Sequence, residues 1–196
     1  MDVQVIVTTW GHPSWAGQAS RIAIPSVLGE ARVYHHHEDL AASAGAARNA
    51  AVEIADPQEW ICFLDADDRI EPGYMEAMET HMEGWHDLLV PALRLPGKTK
   101  PQFYPDRNII DGLNPCPIGT LIHRRLFELA GQFWGEDAWE DWSLFRRAVL
   151  VGGKIRFAEG AVYDASNTTK SGRNNVRNPK KLHREIIEAH KLWMNL

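Results

Sequence analysis

Two periodicities alternate along this chain. Val3 to Thr8 (VQVIVT) is an apolar, β-branched run, the pattern of a buried strand, and Trp10-Gly11-His12-Pro13 ends it with a loop. Gln18 to Leu28 has helical spacing at Ile22 and Leu28, and Pro25 must kink that helix or lie near one of its ends. Ala31 to His35 predicts a second strand. Ser43 to Ala55 is alanine-rich, and Ala47, Ala50, Ala51 and Ile54 form one apolar stripe on a helix that Asp56-Pro57 stops. Trp60 to Leu64 (WICFL) is a short continuous apolar run, as expected of a strand covered on both faces.

The second half follows the same rhythm. Pro72 to Met82 predicts a helix with Pro72 in its first turn, and Leu88 to Leu93 a strand. Residues 96–117 hold five of the eleven prolines and read as a long functional loop. Ile118 to His123 predicts a strand entering a helix over Arg124 to Ala130, and Trp139 to Leu150 a helix ended by Gly152-Gly153. Lys154 to Tyr163 adds one or two strands, and Pro179 to Met194 a terminal helix. Strands alternating with helices predict an α/β fold: three layers around a mostly parallel sheet, without internal repeat or second domain.

Composition narrows the setting. With 196 residues, 44% hydrophobic and 24% charged, the chain can bury a core without covalent staples. The net charge of -5 argues against strong non-specific binding of polyanions. Lys170 to Lys191 is nonetheless basic, and suits either phosphate contact or a solvated helix face. Cys62 and Cys116 are too few for a disulfide framework, and Cys62 reads as a small buried hydrophobe. No charged-then-apolar leader opens the chain and no apolar run reaches about 18 residues, so a cytoplasmic protein without integral membrane association is expected.

Candidate chemistry gathers after WICFL. Ligands of open α/β sheets bind beyond the carboxyl ends of the strands, where Asp65, Asp67 and Asp68 fall. Three carboxylates this close repel one another unless a cation or basic groups compensate, and hard oxygens suit Mg²⁺ or Mn²⁺. The same aspartates also fit a surface turn in which Asp68 caps the helix near Pro72. His35, His36 and His37 alternate faces on a strand and cannot easily converge on one ion. They read first as a polar strand end, and second as a donor-contacting or pH-sensitive group.

The ordered segments VIVTTW (Val5 to Trp10), ARNAA (Ala47 to Ala51), WICFLDADD (Trp60 to Asp68), RRLFELAGQF (Arg124 to Phe133) and WEDWSLFRRAVLVGGKI (Trp139 to Ile155) resemble the family 2 glycosyltransferases of the GT-A fold. That resemblance implies a GT-A-like three-layer sandwich over residues 1–165, with a nucleotide-binding half to about 95 and an acceptor half from about 96. Residues 166–196 would add a basic loop and a terminal helix packed on the same domain. It implies inverting transfer from a nucleoside-diphosphate sugar, a UDP-sugar first, to a hydroxyl of a protein, a glycan or a nucleic-acid base. Thr8, Thr9, Trp10, Arg48, Asn49, Asp65 and Ala66 would meet the nucleotide, Asp65 at the ribose. Asp67, with Asp68 beside it, would hold the Mn²⁺ or Mg²⁺ cofactor. Asp141 matches the catalytic base, and Glu140 is the adjacent alternative. Gly119 and Thr120 would floor the donor sugar, Trp139 and Trp142 suit acceptor stacking or a core, and Lys170 and Arg173 would close as a lid over the diphosphate.

Plainer readings stand beside these. Glu140-Asp141 suits any helix start, Arg48 an exposed helix position, and Trp10 simple packing. The family's Asp-Asp-x-Ser after the second strand is replaced here by Tyr34 to Asp39, so Glu38 and Asp39 are both candidates to read the base. Two other functions compete: a non-catalytic nucleotide-sugar or glycan-binding module, and a metal-dependent phosphotransferase or hydrolase with an Asp-x-Asp nucleophile.

Overall fold

In the computed structural model, which describes residues 2–82, 87–136, 138–165 and 178–195, the two most apolar runs lie side by side. β1 (Val3–Trp10) pairs in parallel with β3 (Trp60–Leu64), and on its other edge with β2 (Arg32–Glu38). Every residue of β3 is buried, as its unbroken apolar run requires. The sheet continues through β6 (Leu121–His123), β5 (Asp87–Arg94), β7 (Lys154–Asp164) and β4 (Arg69–Ile70), in the order β2-β1-β3-β6-β5-β7-β4. The parallel pairings β1/β2, β1/β3 and β5/β7 run over five to seven residues. The antiparallel joins β3/β6, β5/β6 and β4/β7 span only two or three. The sheet is therefore mostly parallel, with helices around it.

Local chemistry accounts for the helices, including those that depart from expectation. α3 (Ala44–Ile54) starts where Ser43 Oγ accepts the Ala46 N–H at 3.1 Å. Its buried face is Ala44, Gly45, Ala47, Arg48, Ala51 and Val52, and Ile54, expected on the apolar stripe, is 62% exposed. The stripe is thus rotated, and an arginine belongs to it. The single helix expected over Gln18 to Leu28 is two, α1 (Ser14–Arg21) and α2 (Ala23–Val27). Pro25 lies in the first turn of α2, where its missing N–H needs no partner. The helix expected over Pro72 to Met82 shrinks to α4 (Tyr74–Glu79), preceded by Gly73 at φ 82°. β6 begins at Leu121 rather than Ile118 because Pro117 to Thr120 forms a turn, with Thr120 N bonded to Pro117 O at 2.9 Å.

α5 (Arg124–Leu129) and α6 (Glu140–Leu150) follow β6, and α7 (Pro179–Met194) packs on α6. A ring cluster of Phe63, Phe127 and Phe133, with centroids 4.9 to 5.9 Å apart, fastens the segment between α5 and α6 to β3. α7 contributes His190, fully buried between Ser143 Oγ (3.0 Å) and Arg146 Nη1 (2.7 Å). Burial, then the neighbouring Arg147 and Arg146, push the His190 pKa down to about 3. It is neutral, accepting from Arg146 and donating to Ser143, whose hydroxyl passes its own proton bond to Glu136.

β7 is one strand with an irregularity. Its register jumps from Phe157 opposite Val90 to Val162 opposite Ala92, with Gly160 at φ 91° and exposed beside Glu159 while Ala158 and Ala161 stay buried. The jump sets Tyr163 under the turn that precedes β6, where a Cβ on Gly119 would lie 2.0 Å from Tyr163 Cδ2. Gly119→Ala is therefore expected to cost about 1–3 kcal/mol through overpacking, read as a lowered urea midpoint at an unchanged m-value.

Candidate active site

The buried arginine of α3 organises the site. Arg48 Nη2 lies 2.7 Å from Asp65 Oδ1 and its Nη1 2.7 Å from Glu140 Oε1. The guanidinium also sits 5.3 Å from the Phe133 ring centroid. Burial opposes its charge, but Asp65 and Glu140 outweigh that and hold it above the usual arginine pKa. Asn49 clamps the next segment: its Nδ2 donates to Phe133 O at 2.9 Å and its Oδ1 accepts the Phe133 N–H at 3.1 Å. That segment contains two left-handed residues, Gly131 (φ 75°) and Gln132 (φ 59°), whose neighbouring carbonyls at Ala130 and Gln132 accept from Arg147. Both side chains of the Arg-Asn pair are thus engaged by protein partners.

α6 enters through Trp139, a left-handed residue at φ 61°, which places Glu140 and Asp141 in the first turn. A bulky residue in that conformation is uncommon and costs strain. The two acids then diverge. The Glu140 side chain, 13% exposed, is held by Arg48. Asp141 is half-buried, its only close side-chain partner among the described residues being Asn114 Nδ2 at 3.4 Å from Oδ2. Burial, then the adjacent Glu140, push the Asp141 pKa up to about 7, against the pull of the Trp142 N–H and Arg48. A carboxylate poised near neutrality beside one locked in an ion pair is the signature of a proton acceptor and its support. Asn114 was not picked out in the sequence, because nothing in a proline-rich loop marks which residue reaches another element.

The acidic turn is divided in the same way. The Asp65 side chain, 40% exposed, faces Arg48. Asp68 is buried and accepts the Tyr163 hydroxyl at 2.8 Å. Asp68 is not a helix cap, since α4 starts at Gly73 without any side-chain cap. Burial, then Asp68 and Asp65, hold the Tyr163 phenol well above its usual pKa, so it is a neutral donor. Asp67 and Ala66 are buried within the turn. Among the described residues no three His, Cys, Asp or Glu side chains converge as a metal cage. The oxygens present fit a cation that takes one or two carboxylates and fills its shell from phosphates and water.

At the carboxyl ends of β1 and β2 the histidines separate by face, as strand alternation predicts. Thr9 Oγ1 lies 3.2 Å from His35 Nε2 and 2.9 Å from His37 Nδ1, and His37 Nε2 lies 2.9 Å from Asp39 Oδ1. One set of tautomers gives every proton an acceptor: His35 to Thr9, Thr9 to His37, His37 to Asp39. Burial, then His37 and His36, lower the His35 pKa, which keeps it neutral. His36 instead stacks on Tyr34 and lies 3.6 Å from Glu38. Thr8 Oγ1 is buried with no hydrogen-bond partner in the described residues, and Trp10 is half-buried.

Of the remaining candidates, Trp142 is buried and stacked on His183 at 4.7 Å and 8°, whereas Trp139 is half-buried. Gly119 lies on the Tyr163 ring and Thr120 is fully buried behind it. Lys170 and Arg173 lie outside the described residues.

The sequence profile of glycosyl transferase family 2 matches residues 26–151, and the chain belongs to that family. Its fold is the GT-A fold. S. aureus TarS 1–349 in complex with UDP-GlcNAc matches with a TM-score of 0.66 at 17% identity, over 98% of this chain and 67% of that one. A longer S. aureus TarS chain gives 0.62 at 16% identity, over 98% of this chain but only 39% of its own. GalNAc-T7 with UDP, GalNAc and Mn²⁺ gives 0.62 at 11% identity, over 84% of this chain and 43% of its own. No curated protein matches.

The raised Asp141 pKa carries a stability cost of definite sign. Its carboxyl keeps its proton to about pH 7 when folded, against about 4 when unfolded. Stability is therefore full below about pH 4 and falls as pH rises through 7, because the unfolded chain has already lost that proton. Asp141→Asn, which cannot ionise, is expected to raise Tm by several degrees at pH 8 and to leave it unchanged at pH 4, measured by calorimetry across that range.

Proposed function

We propose that this chain transfers a sugar from a UDP-sugar to a hydroxyl acceptor with inversion, and that Asp141 is the general base. The observation that carries the reading is the division of labour at the start of α6. Glu140 is held by Arg48, while the half-buried Asp141 is tuned to about pH 7. The acceptor oxygen attacks the anomeric carbon as its proton passes to the Asp141 carboxylate. The bond to the diphosphate breaks on the opposite face and its electron pair leaves with the phosphate oxygen. One displacement inverts the centre. Proton acceptance by a positioned carboxylate supplies about 10²–10⁴ of the rate.

On the donor side, Thr8, whose hydroxyl has no partner in the described residues, and the half-exposed Asp65 are offered to the nucleoside. Asp39, aimed by the chain through His35, Thr9 and His37, is favoured over Glu38 to read the imide of the base. The Glu38 Oε1 already accepts the Leu40 N–H at 3.2 Å, and its Oε2 lies 3.6 Å from His36. Asp67, with Asp68 beside it, would hold Mn²⁺ or Mg²⁺, which would neutralise charge on the departing diphosphate. The Gly119 turn floors the donor sugar, and Trp139 is the ring of the pair offered to the acceptor. Lys170 and Arg173 are proposed to cover the diphosphate. The free, buried Cys62 and Cys116 suit a reducing, cytoplasmic setting. Among the described residues no helix is long and apolar enough to cross a membrane. Support comes from TarS bound to UDP-GlcNAc and GalNAc-T7 bound to UDP and Mn²⁺. A phosphotransferase would need a free aspartate nucleophile at the first position of the turn, and Arg48 holds Asp65 there.

Thermal unfolding with UDP, GDP, dTDP or CMP, each with and without Mn²⁺, tests the donor side. UDP is expected to raise Tm only with the metal, and Asp67→Ala to abolish that rise. No rise with any nucleotide would sink the reading. With UDP-GlcNAc and water as acceptor, Asp141→Asn is expected to bind UDP normally while UDP release slows by about 10² or more. A slow Glu140→Gln beside a normal Asp141→Asn would move the base to Glu140.

A further inference from the structure

We infer that Tyr163 is a positioning residue, whose phenol is the post that sets the acidic turn 65–68 against the Gly119 turn before any ligand arrives. The inference rests on the donor-side role proposed above for that turn. Tyr163 lies on β7, beyond the register jump and outside the stretch that the family profile matches. It is almost fully buried, and its hydroxyl spends both of its bonding directions on one turn: the O–H donates to Asp68 Oδ2 at 2.8 Å, and the oxygen accepts the Asp65 N–H at 3.4 Å. Its backbone stands opposite Ile70 of β4, the strand that leaves the same turn. The turn is thus fastened to β7 at its first residue, at its fourth, and just beyond. The ring supplies the other half of the post, since Gly119 lies on it so closely that no side chain fits. Gly119 O is in turn fixed from below by the Tyr74 hydroxyl and by Cys62 Sγ at 3.4 Å.

The chemistry of the phenol is what suits it to this place. Asp65, Asp67 and Asp68 repel one another, and a turn that carries them needs donors to hold its shape. A lysine or arginine at Asp68 would hold it by cancelling its charge and would compete with an incoming cation. A neutral hydroxyl satisfies one lone pair of Asp68 without bringing a charge of its own, and leaves the other oxygen to other partners. Arg48 meets Asp65 from the far side, so the turn is held by a cation at its first residue and by the phenol at its fourth.

Tyr163→Phe removes the hydroxyl and keeps the ring on Gly119, so the fold is retained. In the ligand-free protein, amide hydrogen exchange over residues 65–68 is expected to accelerate by about tenfold or more, with β1, β3 and β5 unchanged. The Mn²⁺ concentration that half-saturates the UDP-dependent rise in Tm is expected to increase about fivefold or more. Unchanged exchange at 65–68, or acceleration spread evenly over the sheet, would overturn the inference, as would equal Mn²⁺ dependence in variant and wild type. Accelerated exchange confined to 65–68, in a protein whose wild type gives no rise with UDP, would support the post and count against the transferase reading alone.

Discussion

A guanidinium buried in a helix face must find partners for its charge and its N–H groups, and at Arg48 two carboxylates meet that requirement. Arg48 lies on the inner side of α3 with Asp65 on one nitrogen and Glu140 on the other, each at 2.7 Å. Removing Arg48 would leave the little-exposed Glu140 without its counter-charge, at a cost of several kcal/mol. The end of β3 and the start of α6 are therefore held to the same point although Arg48 and Glu140 lie 92 residues apart in sequence. Everything proposed about donor and acceptor sides follows from that junction, since the donor-side turn and the base-bearing helix are bound to one side chain.

The junction also sorts the acids. Of the carboxylates near the carboxyl end of β3, Asp65 and Glu140 face the full positive charge of Arg48, and Asp68 accepts from the Tyr163 phenol. Asp141 has the Asn114 amide at 3.4 Å and the Trp142 N–H, and no ion pair among the described residues. The gradient runs from locked to free, and the free end is where proton transfer is useful. Ionised Glu140 beside it helps raise the Asp141 pKa, so the ion pair that fixes the helix also tunes its neighbour. The cost appears in stability, which is the usual trade at a working site.

Much of this was legible in the sequence, and the limits have physical causes. β1 and β3 were readable because a strand buried on both faces must be apolar throughout. The separation of the three histidines followed from strand alternation alone. The resemblance to family 2 rested on ordered motifs, and the match over residues 26–151 bears it out. The burial of Arg48 was not legible, because pattern reading places arginine outside, and only the distant Glu140 and Asp65 make the inside tolerable. The same blindness put Ile54 on the stripe. β4 is two residues long and exists only as a partner for β7. Asn114 and Tyr163 carry no local signal, since each is defined by a residue far away in the chain.

Behind the site, the same logic recurs with neutral groups. The helix that carries Glu140 and Asp141 is backed by α7, and between them lie His190, Ser143, Arg146 and Glu136 in one hydrogen-bonded chain. A protonated His190 would put a third positive charge beside Arg146 and Arg147, and its depressed pKa shows that the fold refuses it. A neutral imidazole can both accept from Arg146 and donate to Ser143, which no aliphatic residue of similar size can do. His183, two turns earlier on the same face of α7, stacks on Trp142, the residue next to Asp141. The base is therefore positioned from two directions, by Arg48 through Glu140 in front and by α7 through Trp142 and Ser143 behind. Since α7 lies beyond the stretch that the family profile matches, half of that support is contributed by a part of the chain the motifs do not reach.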